Sequence, residues 1–446
     1  TTLFRSYLKG IKEGIYTDKE LNEKVRRVLR LTFRTAMNND RPWGSMVSDA
    51  HKTACRKIGE EGIVLLQNNA NLLPINLSKV KRIAVIGENA IKMMTVGGGS
   101  SSLKVKYEVT PLEGLKKRIG EQAEIIYARG YVGDPTGEYN GVKTGQNLKD
   151  DRSPKELRTE ALQVASNADI VLFIGGLNKS EYQDCEGTDR KTMDLPYNQN
   201  ELIMDLLQVN KKLVVINISG TGVAMPWKNH VSTILQAWYL GSETGNALAS
   251  ILMGDVNPSG KLPYTYYACL NQCGAHKLGE YPGHKGMDVL GNKVYDIPYN
   301  EGLFVGYRFI DKNKLKPNFP FGHGLSYTTF EYGKAKVNSK AIEKSEKLYI
   351  TIPITNTGNR AGAEVVQLYI KCLNSSVIRP IKELKGFCKV ELQPNETKEI
   401  SFTITAEELS FFDEKQHKWI AEPGKFEALM ASSSADIRSK VCFELK

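Results

Sequence analysis

The chain has no apolar run of about 18 residues, the length a membrane-crossing helix needs, so no membrane span is predicted. It has no CxxC pair. The seven cysteines (Cys55, Cys185, Cys269, Cys273, Cys372, Cys388, Cys442) are odd in number, and only Cys269 and Cys273 lie close together, without a second pair or an HxxxH partner. Reduced, partly buried thiols are therefore expected, and no metal site. No basic stripe interleaved with aromatics occurs either. The 60 Lys and Arg are accompanied by 50 Asp and Glu in almost every segment, so the net charge of +10 implies no nucleic-acid partner. The glycine-rich stretch at 97–102, GGGSSS, lacks both the Gly-Lys-Ser/Thr ending of a P-loop and the GxGxxG of a dinucleotide fold. It reads as close backbone approach to a neutral ligand or another domain, or as simple flexibility, and no cofactor is implied. There is no initiator Met and no signal-peptide pattern at Thr1. The chain begins mid-pattern, as a processed or truncated protein would.

What is present is ordinary globular composition, 41% hydrophobic and 25% charged over 446 residues. That length exceeds one core and predicts two or three domains. Residues 1–37 read as helix, turn and helix, with Thr17 and Glu20 forming a capping signature before the apolar stripe Leu21, Val25, Val28, Leu29 and Phe33. Nothing within that span could bury the stripe. Residues 38–51 read as a linker, with Ser48 and Asp49 as N-cap candidates for a helix over 52–67. Over 52–265, helical stretches separate near-continuous apolar runs at 83–86, 123–128, 170–174, 213–218 and 233–238, which predicts a mostly parallel sheet covered on both faces. Residues 266–320 show little periodicity and read as an excursion packed on that domain. Residues 321–446 change to short strands and frequent turns, the pattern of a β-sandwich.

The stretch at 175–196, GGLNKSEYQDCEGTDRKTMDLP, follows the run at 170–174 and crowds Glu181, Asp184, Glu186, Asp189, Arg190 and Asp194 into one turn-rich loop. Ligands of open α/β sheets sit outside the carboxyl ends of the strands, which makes this loop a candidate site; a solvated acidic loop is the alternative. Asp189 and Arg190 suggest an ion pair holding the loop, and Cys185 a small packing residue. Trp238 and Tyr239, after the last run, suit either interdomain packing or a sugar-stacking platform.

In order along the chain stand LNEKVRRVLRLTF (21–33), EEGIVLLQN (60–68), the glycine loop followed by PLEG, EGTDR…LP (186–196), ILQAWYLGSETGNALASILMGDVNPSGKLPYT (234–265), EGLFVGYR (301–308) and FPFGHGLSYTTFEY (319–332). With these motifs the chain resembles glycoside hydrolase family 3, the β-glucosidase-like family, across essentially its whole length. The resemblance implies an (α/β)6-type sandwich followed by an all-β fibronectin type III-like sandwich, with residues 1–37 as the last helices of a (β/α)8 barrel whose body is missing. It implies hydrolysis of terminal β-D-glucosyl residues by a retaining double displacement without cofactor. Glu186 would be the general acid/base, with Glu181 as runner-up, and Ser101 a substrate contact. The family nucleophile is a barrel aspartate in a Ser-Asp-Trp context; Ser48-Asp49-Ala50 lacks the Trp and the role is not carried to Asp49. Implied partners are a β-linked oligosaccharide or β-glucoside, the upstream barrel and a possible homodimer; the implied location is periplasmic or secreted. A non-catalytic carbohydrate-binding scaffold, a β-xylosidase and a β-N-acetylhexosaminidase are the alternatives.

Overall fold

The computed structural model describes residues 2–95, 98–100, 102–133, 138–139, 142–143, 145–287 and 293–446. They form two compact units, Thr1–His51 and Lys52–Lys446. In the first, helices Thr2–Lys12 and Asp18–Arg34 flank a turn whose Tyr16 stacks on Tyr7 of the first helix at 4.9 Å. Thr17 accepts the Glu20 N–H at 3.2 Å and Glu20 accepts the Thr17 N–H at 2.8 Å, closing the capping box. No residue of Asp18–Arg34 is buried, so its apolar stripe is uncovered.

The next helix runs Asp49–Gly62, with Ser48 Oγ accepting the His51 N–H at 3.3 Å. It is shorter than the predicted 52–67. Helix stops at Gly62, and Val64–Asn68 is a strand, antiparallel to Thr233–Gln236 at the edge of the main sheet. The run Ile63-Val64-Leu65-Leu66 is buried on both faces, which suits a strand better than one stripe of a helix.

That sheet has six strands. From Val64–Asn68 the order is Thr233–Gln236, Leu213–Ile218, Ile170–Gly176, Arg82–Ile86 and Glu124–Ala128, the last five parallel. Alternate side chains of each strand feed two cores. Ile83, Val85, Leu172 and Ile174 face helices Pro111–Ile119 and Thr244–Met253, whereas Ala84, Ile86, Val171 and Phe173 face Pro154–Ser166 and Gln199–Val209. Each large apolar side chain so buried contributes about 1.5–3 kcal/mol relative to exposure. On the first face the two helices cross with backbones touching. A Cβ on Gly114 would stand 2.1 Å from the Gly245 carbonyl, and one on Gly245 would stand 2.0 Å from the Thr110 carbonyl.

The chain leaves Arg82–Ile86 for one edge strand, returns to Ile170–Gly176 beside it, and then moves the other way. The order therefore reverses between these two neighbours, and their carboxyl ends open onto the crevice where such sheets bind ligands.

Residues 266–320, unreadable by periodicity, hold a helical turn Gly274–Lys277, a hairpin of His284–Met287 with Lys293–Asp296, and helix Tyr307–Lys312. They stitch the α/β core to the β domain. Tyr266 is fully buried, and its hydroxyl donates to Gln236 at 2.6 Å; Tyr307 stacks on Phe321 at 5.1 Å and accepts the Leu384 N–H at 3.0 Å. Beyond them a four-stranded sheet around Leu348–Asn356 and Thr397–Ile404 faces a five-stranded one built on Gly362–Cys372, Glu383–Leu392, Gly424–Ser433 and Asp436–Leu445. Leu348, Ile350, Ile352 and Ile354 alternate into their shared core.

Candidate active site

Strand Ile170–Gly176 is buried along its whole length and ends at Gly176, whose φ of 124° lets it lie against Ile218; a Cβ would stand 2.1 Å from the Ile218 carbonyl oxygen. The buried Gln199 amide accepts from the Gly176 N–H and donates to its carbonyl, both at 2.8 Å, tying the strand end to the helix that follows the loop. Between them the acidic loop is folded on its own polar groups. The Asp184 N–H donates to the Asn178 carbonyl at 3.0 Å and the Tyr182 N–H to Thr188 Oγ1 at 2.9 Å.

Asp184 anchors this loop to the neighbouring strand ends. Its carboxylate accepts from the Gly220 N–H at 2.7 Å, the Thr221 hydroxyl at 2.7 Å and the Tyr239 hydroxyl at 2.9 Å. The turn bearing Gly220 is held in turn by a buried network, in which Asn217 donates to Ser219 Oγ at 2.8 Å and Gln236 donates to the Ser219 carbonyl at 2.7 Å. Asp189 accepts from the Tyr281 hydroxyl, and this carboxylate raises the Tyr281 pKa. Arg190 donates to the Gly222 carbonyl at 2.6 Å. The expected Asp189–Arg190 ion pair is absent among the described residues: Asp189 is taken up by the Tyr281 hydroxyl and Arg190 by the Gly222 carbonyl. Cys185 is a free, half-buried thiol whose Sγ lies 2.9 Å from Thr188 Oγ1.

The glycine loop makes its close backbone approach to this acidic loop. The Glu186 N–H donates to the Gly98 carbonyl at 2.5 Å, and Glu186 Oε2 accepts the Ser100 N–H at 2.5 Å. A Cβ on Gly99, at φ 142°, would stand 2.3 Å from Glu186 Cβ, and one on Gly98 2.3 Å from the Lys179 carbonyl. Only glycine permits that approach. Beneath it, the turn after Arg82–Ile86 is pinned by buried Glu88, which accepts from Arg129 at 2.7 Å and from the Gly133 N–H at 2.6 Å. Asn89 spans the crevice to the Leu177 carbonyl at 3.0 Å.

Glu186 therefore stands exposed at the reversal point of the sheet, with its backbone and one carboxylate oxygen fixed. The Ser100 side chain, then the Ser100 N–H, holds its carboxyl below the ordinary glutamate value of 4.5. This is opposite to the raised value a proton donor needs. Glu181, also exposed, makes no hydrogen bond or ion pair among the described residues. Ser101 lies outside the described residues. Trp238, at φ 47°, donates its indole N–H to the Gly62 carbonyl at 2.8 Å and packs edge-on to Tyr264, whereas Tyr239 stays at the crevice. Ser100, Asn217, Gln236 and Tyr281 escaped the sequence reading. Asn217 and Gln236 left a signal, as polar residues inside otherwise apolar strand runs.

Residues 63–327 match the glycosyl hydrolase family 3 C-terminal domain, and residues 364–434 a fibronectin type III-like domain. The chain belongs to glycoside hydrolase family 3. It is 47% identical to the beta-glucosidase BoGH3A of Bacteroides ovatus over 99% of this chain and 58% of that protein. It is 34% identical to the periplasmic beta-glucosidase of Salmonella typhimurium over 98% of this chain and 57% of that one. The crystal structure of the Bifidobacterium adolescentis GH3 beta-glucosidase superposes with a TM-score of 0.83 at 30% identity, covering all of this chain and 60% of its own. The chain spans somewhat over half the length of the family 3 relatives it matches. Among the described residues, no helix is long and apolar enough to cross a membrane.

Proposed function

We propose that this chain supplies the general acid/base, Glu186, of a retaining β-glucosidase that removes terminal non-reducing β-D-glucosyl residues. The aspartate nucleophile would come from a barrel on the N-terminal side, of which residues 1–37 would be the last helices. The observation that carries this reading is the placement of Glu186: an exposed carboxylate, fixed by Gly98 and Ser100, at the crevice where the strand order reverses.

In the first step the Glu186 carboxyl gives its proton to the glycosidic oxygen as the C1–O bond breaks and the aspartate bonds to C1. In the second, the Glu186 carboxylate takes a proton from the water that displaces the aspartate. Both steps are proton transfers coupled to displacement at carbon and call for no cofactor. A nucleophile about 5–5.5 Å away would add the negative charge that raises the Glu186 pKa for the first step. The bacterial relatives, one of them named periplasmic, support a periplasmic or secreted location.

The test is Glu186→Ala in the chain joined to its barrel. Hydrolysis of aryl β-glucosides should fall about 10²- to 10⁴-fold, with azide restoring part of the rate. An unchanged rate would transfer the role to Glu181. A panel of aryl glucosides, xylosides and N-acetylglucosaminides reads the sugar preference; failure to hydrolyse any of them, with binding retained, would favour a scaffold.

A further inference from the structure

The contact that fixes Glu186 joins two loops, and each loop has its own carboxylate anchor. Asp184 holds the acidic loop through the Gly220 N–H, the Thr221 hydroxyl and the Tyr239 hydroxyl. Glu108 holds the base of the glycine loop. Its Oε1 accepts the Met94 N–H at 2.7 Å and its Oε2 the Thr95 N–H at 3.0 Å, so a residue on the exit side of the loop grips two on its entry side. Each of these donors is neutral and offsets no charge. Lys179 stands where both anchors act on it. It is half-buried in the wall of the pocket beside the Glu186 loop, with its ammonium 4.6 Å from the centre of the Tyr239 ring. That ring reaches both anchors: its hydroxyl donates to Asp184 at 2.9 Å, and it lines a small cavity together with Met94 and Glu108. Burial lowers the Lys179 pKa, and attraction to Asp184 and then to Glu108 works against that shift. The Lys179 backbone belongs to the same joint. A Cβ on Gly98 would stand 2.3 Å from its carbonyl oxygen, and the Gly98 carbonyl is the one that accepts the Glu186 N–H.

We infer that Lys179 is a positioning residue for Glu186: held over Tyr239, its ammonium draws the Asp184 anchor and the Glu108 anchor together and so keeps the glycine loop on the acidic loop. In a half-buried setting, one ammonium attracts two carboxylates more strongly than it would in water. The catalytic meaning of this tie rests on the reading of Glu186 as the acid/base; the tie itself does not. Lys179 is not among the groups that lower the Glu186 pKa, which are the Ser100 side chain and N–H. A change in Glu186 on losing Lys179 must therefore travel through the loops.

In this chain, amide exchange at Ser100 and carboxyl ¹³C titration of Glu186 test the tie without any turnover. Lys179→Met nearly keeps the length of the side chain and removes its charge. It should speed Ser100 exchange about ten-fold or more and move the Glu186 titration up toward 4.5, while exchange at Leu172 in the central strand stays as in the parent. Lys179→Arg should restore both readouts, and Glu108→Gln, an independent variant, should reproduce the Lys179→Met result. Unchanged Ser100 exchange and Glu186 titration in Lys179→Met would overturn the inference, as would equal acceleration at Leu172, the mark of general destabilisation. In the chain joined to its barrel, Lys179→Met should lower kcat for aryl β-glucosides at least about ten-fold. A full kcat with the loops loosened would overturn the positioning role. Failure of Glu186 as acid/base is read separately, as a rate kept by Glu186→Ala, and would leave the exchange and titration results standing.

Discussion

The Ser100 hydroxyl and N–H together determine what Glu186 can do at neutral pH. By favouring the charged carboxylate they lower its pKa, so in this chain Glu186 is ionised, the form that accepts a proton from water. Donating a proton first requires a negative neighbour. Carboxyl ¹³C titration should therefore place Glu186 below 4.5 in the isolated chain, Ser100→Ala should move it upward, and joining the barrel should carry it above the ordinary value. A Glu186 titration unmoved by Ser100→Ala would contradict the assigned cause. Glu186 itself was legible as part of the EGTDR run. The anchoring role of Asp184 was not, because its donors Gly220 and Tyr239 lie 36 and 55 residues downstream and meet it only through the sheet. Asp184→Asn places a donor against three donors; we expect a loss of about 1.5–3 kcal/mol, read by thermal melting, and faster amide exchange at Gly220. Unchanged exchange there would mean the anchor is elsewhere.

At the scale of elements, the close fit of the glycine loop on the acidic loop makes Gly99 a lever on the site. Gly99→Ala adds a Cβ 2.3 Å from Glu186 Cβ at a φ of 142°, so the Glu186 loop must shift. In the joined enzyme activity should fall at least about ten-fold, since small misplacements of catalytic groups are costly, while the melting temperature changes little. Full activity would show that the loops tolerate separation. The strands at 170–174 and 213–218 were plain in the sequence because near-continuous β-branched and apolar runs leave little choice. The stretch at 52–67 was misread because helix and edge strand follow each other with only Ile63 between them. His323 shows a second contact invisible to periodicity. Its half-buried ring lies 2.8 Å from the Leu66 carbonyl of that edge strand, and desolvation holds its pKa below 6.5. The unfolded chain thus binds the proton more readily. The stabilisation is full above pH 6.5 and is lost as pH falls through the lower folded value. Melting temperature should drop more between pH 7 and pH 5 in the parent chain than in His323→Gln. Equal drops would mean that His323 carries none of the acid sensitivity.

For the whole molecule, the β domain and the α/β core are joined by specific polar contacts. Lys261 bridges to Glu364 at 2.9 Å, and Tyr327 donates to the Ile251 carbonyl at 2.9 Å. Composition and turn spacing announced two kinds of domain, but not this seam, whose partners lie 76 and 103 residues apart. On the proposed reading, these 446 residues offer one member of a catalytic pair, Glu186, on a well-supported crevice. The most direct measurement is hydrolysis by the chain joined to its barrel, Glu186→Ala against parent, across aryl β-glucosides of graded leaving-group acidity. We predict a rate loss that is large for poor leaving groups, small for good ones, and partly restored by azide with formation of β-glucosyl azide. A uniform loss without azide rescue, or no loss, would contradict the assignment of Glu186.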